Sequence, residues 1–150
     1  MIEFKIVPDK YRKNKEVFLP IRSTEKSAGY DIVYPLNEKA IIKPNEYLFF
    51  WTDICIEMPK DIAALIIPRS STGIVKKLQL SNTIGLIDCD YYGNEQNYGN
   101  IGVHLVNRSN NEVEINYKDK LVQVIFTPLY FSVNCNSNIE RKGGFGSTNP

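Results

Sequence analysis

A chain of 150 residues, 43% hydrophobic and 23% charged, has the size and balance of one globular domain with a real core. Its net charge of +1 gives no broad surface for nucleic acid or membrane, and no apolar run approaches the ~18 residues a membrane span requires. The single histidine, His104, argues against a His-based metal centre or a Ser-His-Asp triad.

Taken in order, the chain reads as strands. Ile2, Phe4 and Ile6 alternate with charged residues, the period of a half-buried strand, and nothing at this end resembles a signal peptide. A polar connection over 10–14 leads to Ala28-Gly-Tyr-Asp-Ile32, the entry to a second strand. Asn37 and Pro44-Asn45 mark turns around Ala40-Ile-Ile42. Ile54, Ile56 and Met58 alternate and stop at Pro59. Ala63 to Ile67 is a continuous apolar run ended by Pro68, as expected of a strand buried on both faces. Ser71 to Leu80 is the one stretch that reads as a helix. Val103/Leu105 and Val113/Ile115/Tyr117 follow as two strands joined by Asn107 to Asn111, and Leu121 to Leu129 closes the core. Short strands broken by turn residues predict an all-β, jelly-roll-like distorted barrel with one short helix. From Asn134 the composition turns to Asn, Ser and Gly. The expectation is a barrel core over 1–133 and a flexible arm over 134–150 that orders only when something binds.

Five segments carry polar chemistry. In Gly85-Leu-Ile-Asp-Cys-Asp-Tyr-Tyr-Gly-Asn94 an apolar run ends at Asp88, and Tyr91 follows three positions later. The two could line one pocket as a water-activating carboxylate beside an aromatic wall, or form a solvated polar turn. Pro68-Arg69-Ser70-Ser71-Thr-Gly73 reads as an anion site at a helix start or as an N-cap cluster. Gly143 to Thr148 offers backbone amides that could wrap a phosphate, or is an inert tail. Asp31 is a carboxylate that supports a bound group from behind its direct partners, or a strand-end charge. Gln123, within Lys120-Leu-Val-Gln, is a core amide or a ligand-facing donor. Cys55, Cys89 and Cys135 are odd in number and widely spaced, against a disulfide framework or zinc knuckle. Cys89 is a candidate reactive thiol by position alone.

In this order and spacing the five segments resemble the five motifs of the trimeric all-β dUTPase family, over about residues 27–148. The resemblance implies hydrolysis of dUTP to dUMP and pyrophosphate, which limits uracil incorporation into DNA and supplies dUMP for thymidylate synthesis. Asp88 matches the aspartate that activates the water attacking the α-phosphorus. Mg²⁺ would be carried by phosphate oxygens and waters, with Asp31 in its outer shell. Tyr91 matches the ring under the deoxyribose. Asn82 and the backbone of the hairpin, including Gly85 and Ile87, would read uracil and exclude the methyl of thymine. Arg69, Ser70, Ser71 and Gln123 match phosphate contacts. Phe145 and Gly146 match the part of the arm that closes over the base, and Arg141, Ser147 and Thr148 the phosphate clamp. The family also implies a homotrimer with shared sites and an arm crossing to a neighbour, while the net charge, the N-terminal pattern and the short apolar runs lead to the expectation of a cytoplasmic location without nucleic-acid or membrane partners.

Two departures from the family pattern stand out. Glu95 to Asn100 is an additional stretch after Asn94, and Arg141 lies one residue closer to Phe145 than usual, so that Lys142 could share its role. His104 and the cysteines match no motif. Competing readings on the same fold are a dCTP deaminase-like enzyme and a nucleotide-gated regulatory binding protein. The pairing of Asp88 with Tyr91 and the Phe-bearing arm favour dUTPase.

Overall fold

A computed structural model describes residues 1–135, 141, 143 and 144, and alternating apolar residues and frequent turn formers break these described residues into twelve strands. In chain order these are β1 (Glu3–Ile6), β2 (Ile21–Arg22), β3 (Tyr30–Val33), β4 (Ala40–Ile42), β5 (Tyr47–Trp51), β6 (Ile54–Glu57), β7 (Ile62–Pro68), β8 (Leu78–Leu80), β9 (Gly85–Ile87), β10 (Gly102–Asn107), β11 (Val113–Ile115) and β12 (Lys120–Pro128). They pair antiparallel into four small sheets, ordered β1-β6, β5-β10-β8, β11-β4 and β2-β3-β12-β7-β9. The result is an all-β, jelly-roll-like barrel around one core.

The core follows from the alternation. Val103 and Leu105 of β10 and Val122 and Val124 of β12 are fully buried, each separated by a residue that is less so. The run in β7 is less enclosed than a strand buried on both faces would be: Ala63, Ala64 and Ile66 are buried, whereas Leu65 and Ile67 are only half-buried. β7 and β12 pair along their length, from Val122 opposite Pro68 to Pro128 opposite Ile62, and form the spine of the largest sheet.

Buried polar groups tie the loops to this frame. Asp53 is fully buried, with a left-handed φ of 58°. It accepts backbone N–H bonds from Lys13 and Asn14 at 2.6–3.0 Å and a side-chain bond from Asn100 at 2.8 Å. A carboxylate carrying so many donors is satisfied without a counter-cation.

Two expectations change. The helix expected over 71–80 is a single π-type turn, Ser71–Val75, closed by the Lys76 N–H to the Ser71 carbonyl at 3.0 Å. Gly73 and the three β-branched residues Thr72, Ile74 and Val75 propagate a helix poorly, and Leu78 and Leu80 gain more by burial as β8 beside β10. The hairpin expected around Asn82 is instead a corner between sheets. β8 pairs with β10, whereas β9 pairs with β7, and the chain turns between them over 81–84. Gly85 allows the crossing, because a Cβ there would lie 3.0 Å from Cβ of Ile66.

Candidate active site

β9 ends at Ile87, and Asp88 leaves it in extended conformation as the first residue of a 3₁₀ turn over Cys89–Tyr91. The Asp88 carbonyl accepts the Tyr91 N–H at 3.1 Å, so one tight turn fixes the spacing of the two side chains. Both border a cleft of about 660 Å³, together with Asn82, Gly85, Ile87 and Arg141. That volume suits a small organic ligand. The Asp88 side chain is 43% exposed, open to water and ligand. Tyr91 is buried, and its hydroxyl donates to the Asn100 carbonyl at 2.8 Å and accepts from Asn97 Nδ2 at 2.7 Å. Burial pushes the Tyr91 phenol above its ordinary range, against the opposing pull of the Asn97 bond and the Arg141 charge. The ring is therefore a neutral wall held at its far end.

Sequence reasoning overlooked the opposite wall of the cleft. Phe49 and Trp51 of β5 and His104 of β10 line it. His104 stacks on Tyr47 with ring centroids 4.4 Å apart, and its Nδ1 meets Ser81 Oγ. The signal was present in β5, where Tyr47, Phe49 and Trp51 alternate with Leu48 and Phe50 and place aromatics on the outward face.

The other motif residues form a second cluster. Asp31, buried on β3, pairs through Oδ1 with Arg69 Nε at 3.0 Å. Its Oδ2 pairs with Lys120 Nζ at 3.0 Å and accepts from Ser23 Oγ at 2.5 Å. Burial alone would raise the Asp31 carboxyl, but the bonds from Ser23 and Lys120 and the Arg69 charge outweigh it and hold the group below its ordinary value. Gln123 stands opposite Asp31 across the β3–β12 ladder and lies on Gly29, where a Cβ would meet Gln123 Oε1 at 2.2 Å. Arg69 N–H and Thr72 Oγ1 both bond the Leu121 carbonyl, at 3.1 and 2.6 Å, anchoring the segment that presents Ser70 and Ser71. Both serines are exposed, and Ser70 makes no side-chain cap bond, so the N-cap reading of this segment fails.

One chain does not bring the two clusters together. Ile87 faces Ala64 in the ladder, five positions before Arg69, which at about 3.3 Å per residue separates the clusters by roughly 16 Å. Arg69, Ser70, Ser71 and Gln123 are absent from the lining of the cleft that holds Asp88.

Arg141 does reach the cleft. Its Nη2 donates to Asp88 Oδ2 at 2.5 Å and its Nε to Asp90 Oδ1 at 2.7 Å. Gly144 donates its N–H to Gln96 Oε1 at 3.0 Å. Lys142, Phe145, Gly146, Ser147 and Thr148 lie outside the described residues. Burial raises the thiol of Cys55 to about 11 and also raises Cys89, so neither position favours a thiolate.

Among the described residues no group of three His, Cys, Asp or Glu side chains is placed to hold a metal, and no helix is long and apolar enough to cross a membrane. With both Asp31 oxygens already paired to cations, the donor set fits a metal that arrives with its own phosphate and water ligands rather than one caged by protein.

Comparison with known proteins is consistent throughout. The family model described as dUTPase matches residues 15–149. The deoxyuridine 5'-triphosphate nucleotidohydrolase of Lactococcus lactis subsp. lactis is 37% identical over 138 residues, 91% of each chain. That of Wigglesworthia glossinidia brevipalpis is 38% identical over 119 residues, 79% of this chain and 74% of the relative. The crystal structure of dUTPase from Streptococcus mutans superposes with a TM-score of 0.73 at 29% identity, covering 86% of this chain and 97% of the other.

Proposed function

Since the chain belongs to the dUTPase family, we propose that it is a dUTP diphosphatase, releasing dUMP and pyrophosphate from dUTP. The observation that carries this reading is the open Asp88 carboxylate held one tight turn from the pinned ring of Tyr91 in a ligand-sized cleft. Asp88 accepts a hydrogen bond from a water, aims it at the α-phosphorus and takes its proton as the new P–O bond forms and the bond from the α-phosphorus to the bridging oxygen breaks, releasing intact pyrophosphate. Tyr91 packs against the sugar, and its fixed hydroxyl end leaves the ring no freedom to make room for a 2′-hydroxyl. Asn82 and the corner backbone from Gly85 to Ile87 read the base.

Mg²⁺, when bound with the triphosphate, neutralises its charge and eases departure of pyrophosphate. Asp31 would help hold it through water, and within this chain its two oxygens pair with Arg69 and Lys120. Arg141, Phe145, Gly146, Ser147 and Thr148 belong to the closing arm, residues 134–150, which covers base and phosphates and excludes water.

The roughly 16 Å between Asp88 and the Arg69 cluster along β7 supports a site shared between subunits, in which Arg69, Ser70, Ser71 and Gln123 of one complete the cleft of another, and family resemblance makes the assembly a homotrimer. The substrate is the free nucleotide, and nucleic acid and membrane are not partners.

Offering dUTP and dCTP side by side with Mg²⁺ tests the assignment. Formation of dUMP and pyrophosphate from dUTP is expected. Ammonia release from dCTP, or no turnover of either, would overturn it.

A further inference from the structure

The phenol of Tyr91 has one proton to give and a lone pair to receive with, and both are committed. It donates to the Asn100 carbonyl at 2.8 Å and accepts from Asn97 Nδ2 at 2.7 Å. Neither partner belongs to the five motif segments; both lie in the turn over 95–100. That turn is built to hold them. Asn97 Oδ1 accepts from Asn94 Nδ2 at 2.8 Å and from the Gly99 N–H at 3.1 Å, which fixes the amide with its nitrogen on the phenol. Asn100, fully buried, exchanges two bonds with Asp53 in the turn between β5 and β6. Its Oδ1 accepts the Asp53 N–H at 2.9 Å and its Nδ2 donates to Asp53 Oδ1 at 2.8 Å. The far end of the Tyr91 ring is thus tied to the frame of the barrel, while Asn97 and Asn100 stay out of the cleft lining.

We propose that Asn97, with the Asn100 carbonyl, is a positioning residue for sugar discrimination: it holds the ring of Tyr91 against tilting and so keeps a ribose out of the cleft. The role rests on the diphosphatase reading and adds to it a residue that acts only through the phenol. A 2′-hydroxyl adds a single oxygen, and a ring hinged at its Cβ alone can swing aside to admit it. A ring held at both ends admits it only by breaking a hydrogen bond. The discrimination that the Asn97 bond supplies is therefore set by the strength of that bond, about two- to tenfold for one of ordinary strength.

The test is the ratio of kcat/KM for dUTP to kcat/KM for UTP, measured with Mg²⁺ on the full chain in a cycle of Asn97→Ala, Tyr91→Phe and the double variant. Asn97→Ala should lower the ratio about two- to tenfold. Tyr91→Phe, which removes the hydroxyl that Asn97 grips, should lower it at least as far, and adding Asn97→Ala should lower it no further. A general loss of structure would depress both nucleotides together and leave the ratio in place. An unchanged ratio in Asn97→Ala overturns the proposal, as does an additive fall in the double variant. If Asn97→Ala fails to fold, Tyr91→Phe decides: a lowered ratio supports the proposal and a parental one overturns it. A parent that hydrolyses dUTP and UTP alike overturns this inference and leaves the diphosphatase reading standing, whereas a parent that turns over neither overturns both.

Discussion

Asp88 and Asp31 are both carboxylates at strand ends, yet their surroundings give them opposite tasks. Asp88 is open to the cleft, and its described partner, Arg141, approaches along one oxygen only. Asp88→Asn keeps shape and hydrogen-bonding reach but cannot take a proton. It should bind a non-hydrolysable dUTP analogue within a fewfold of the parent and lose about 10²–10⁴ in kcat. Retained turnover would move the base elsewhere. Asp31 is buried with both oxygens engaged, and its folded pKa lies below the ordinary aspartate value near about 3.9. Its ion pairs therefore stabilise the fold fully above that value and are lost as the pH falls through the folded pKa. Asp31→Asn should start less stable at neutral pH and lose less on acidification below about pH 4. An acid limb as steep as the parent's, followed by chemical denaturation, would assign that loss to other groups.

Among the elements, the turn over 95–100 is constrained by backbone packing. Gly99 has a φ of +81°, and a Cβ there would meet the Tyr91 carbonyl oxygen at 2.8 Å, a backbone atom that cannot swing aside. Gly99→Ala should cost about 1–2 kcal/mol from the left-handed conformation alone. Tyr91 should be disturbed with it, raising KM for dUTP along with the loss of stability. A variant as stable as the parent with unchanged KM would show that the turn is loose. This part of the chain was the least legible in advance. The alternation in β10 and β12 announces their core faces, whereas in β1 it leaves Ile2 and Ile6 exposed and only Phe4 half-buried, and the carboxylate and ring of Asp88 and Tyr91 announce the cleft. A three-residue strand such as β8 carries too few residues to show a period, so Leu78 and Leu80 read as the end of a helix. Gln96 and Asp90 have no signature because their value lies in distant residues, Gly144 and Arg141, that meet them only after folding. Lys120 is similar: its role depends on the ladder that brings β12 beside β3.

At the scale of the molecule, the two clusters are held apart by the rigid length of β7, paired on one side with β12 and on the other with β9. In the proposed trimer each cleft draws Asp88 from one subunit and Arg69 from another. Mixing Asp88→Asn with Arg69→Ala after unfolding and reassembly should then restore activity that neither variant has alone, because some clefts inherit both intact residues. Mixtures that remain as inactive as their components would mean that each chain works with its own set.

In the proposed trimer β7 is a ruler whose length decides who suffers from a defect. A subunit altered at Arg69 keeps its own carboxylate and aromatic wall yet spoils the cleft next door. A subunit altered at Asp88 fails at home and still serves its neighbour. When altered and normal copies are made together, the two kinds of damage have the same dosage but different addresses, and neither can be confined to the chain that carries it.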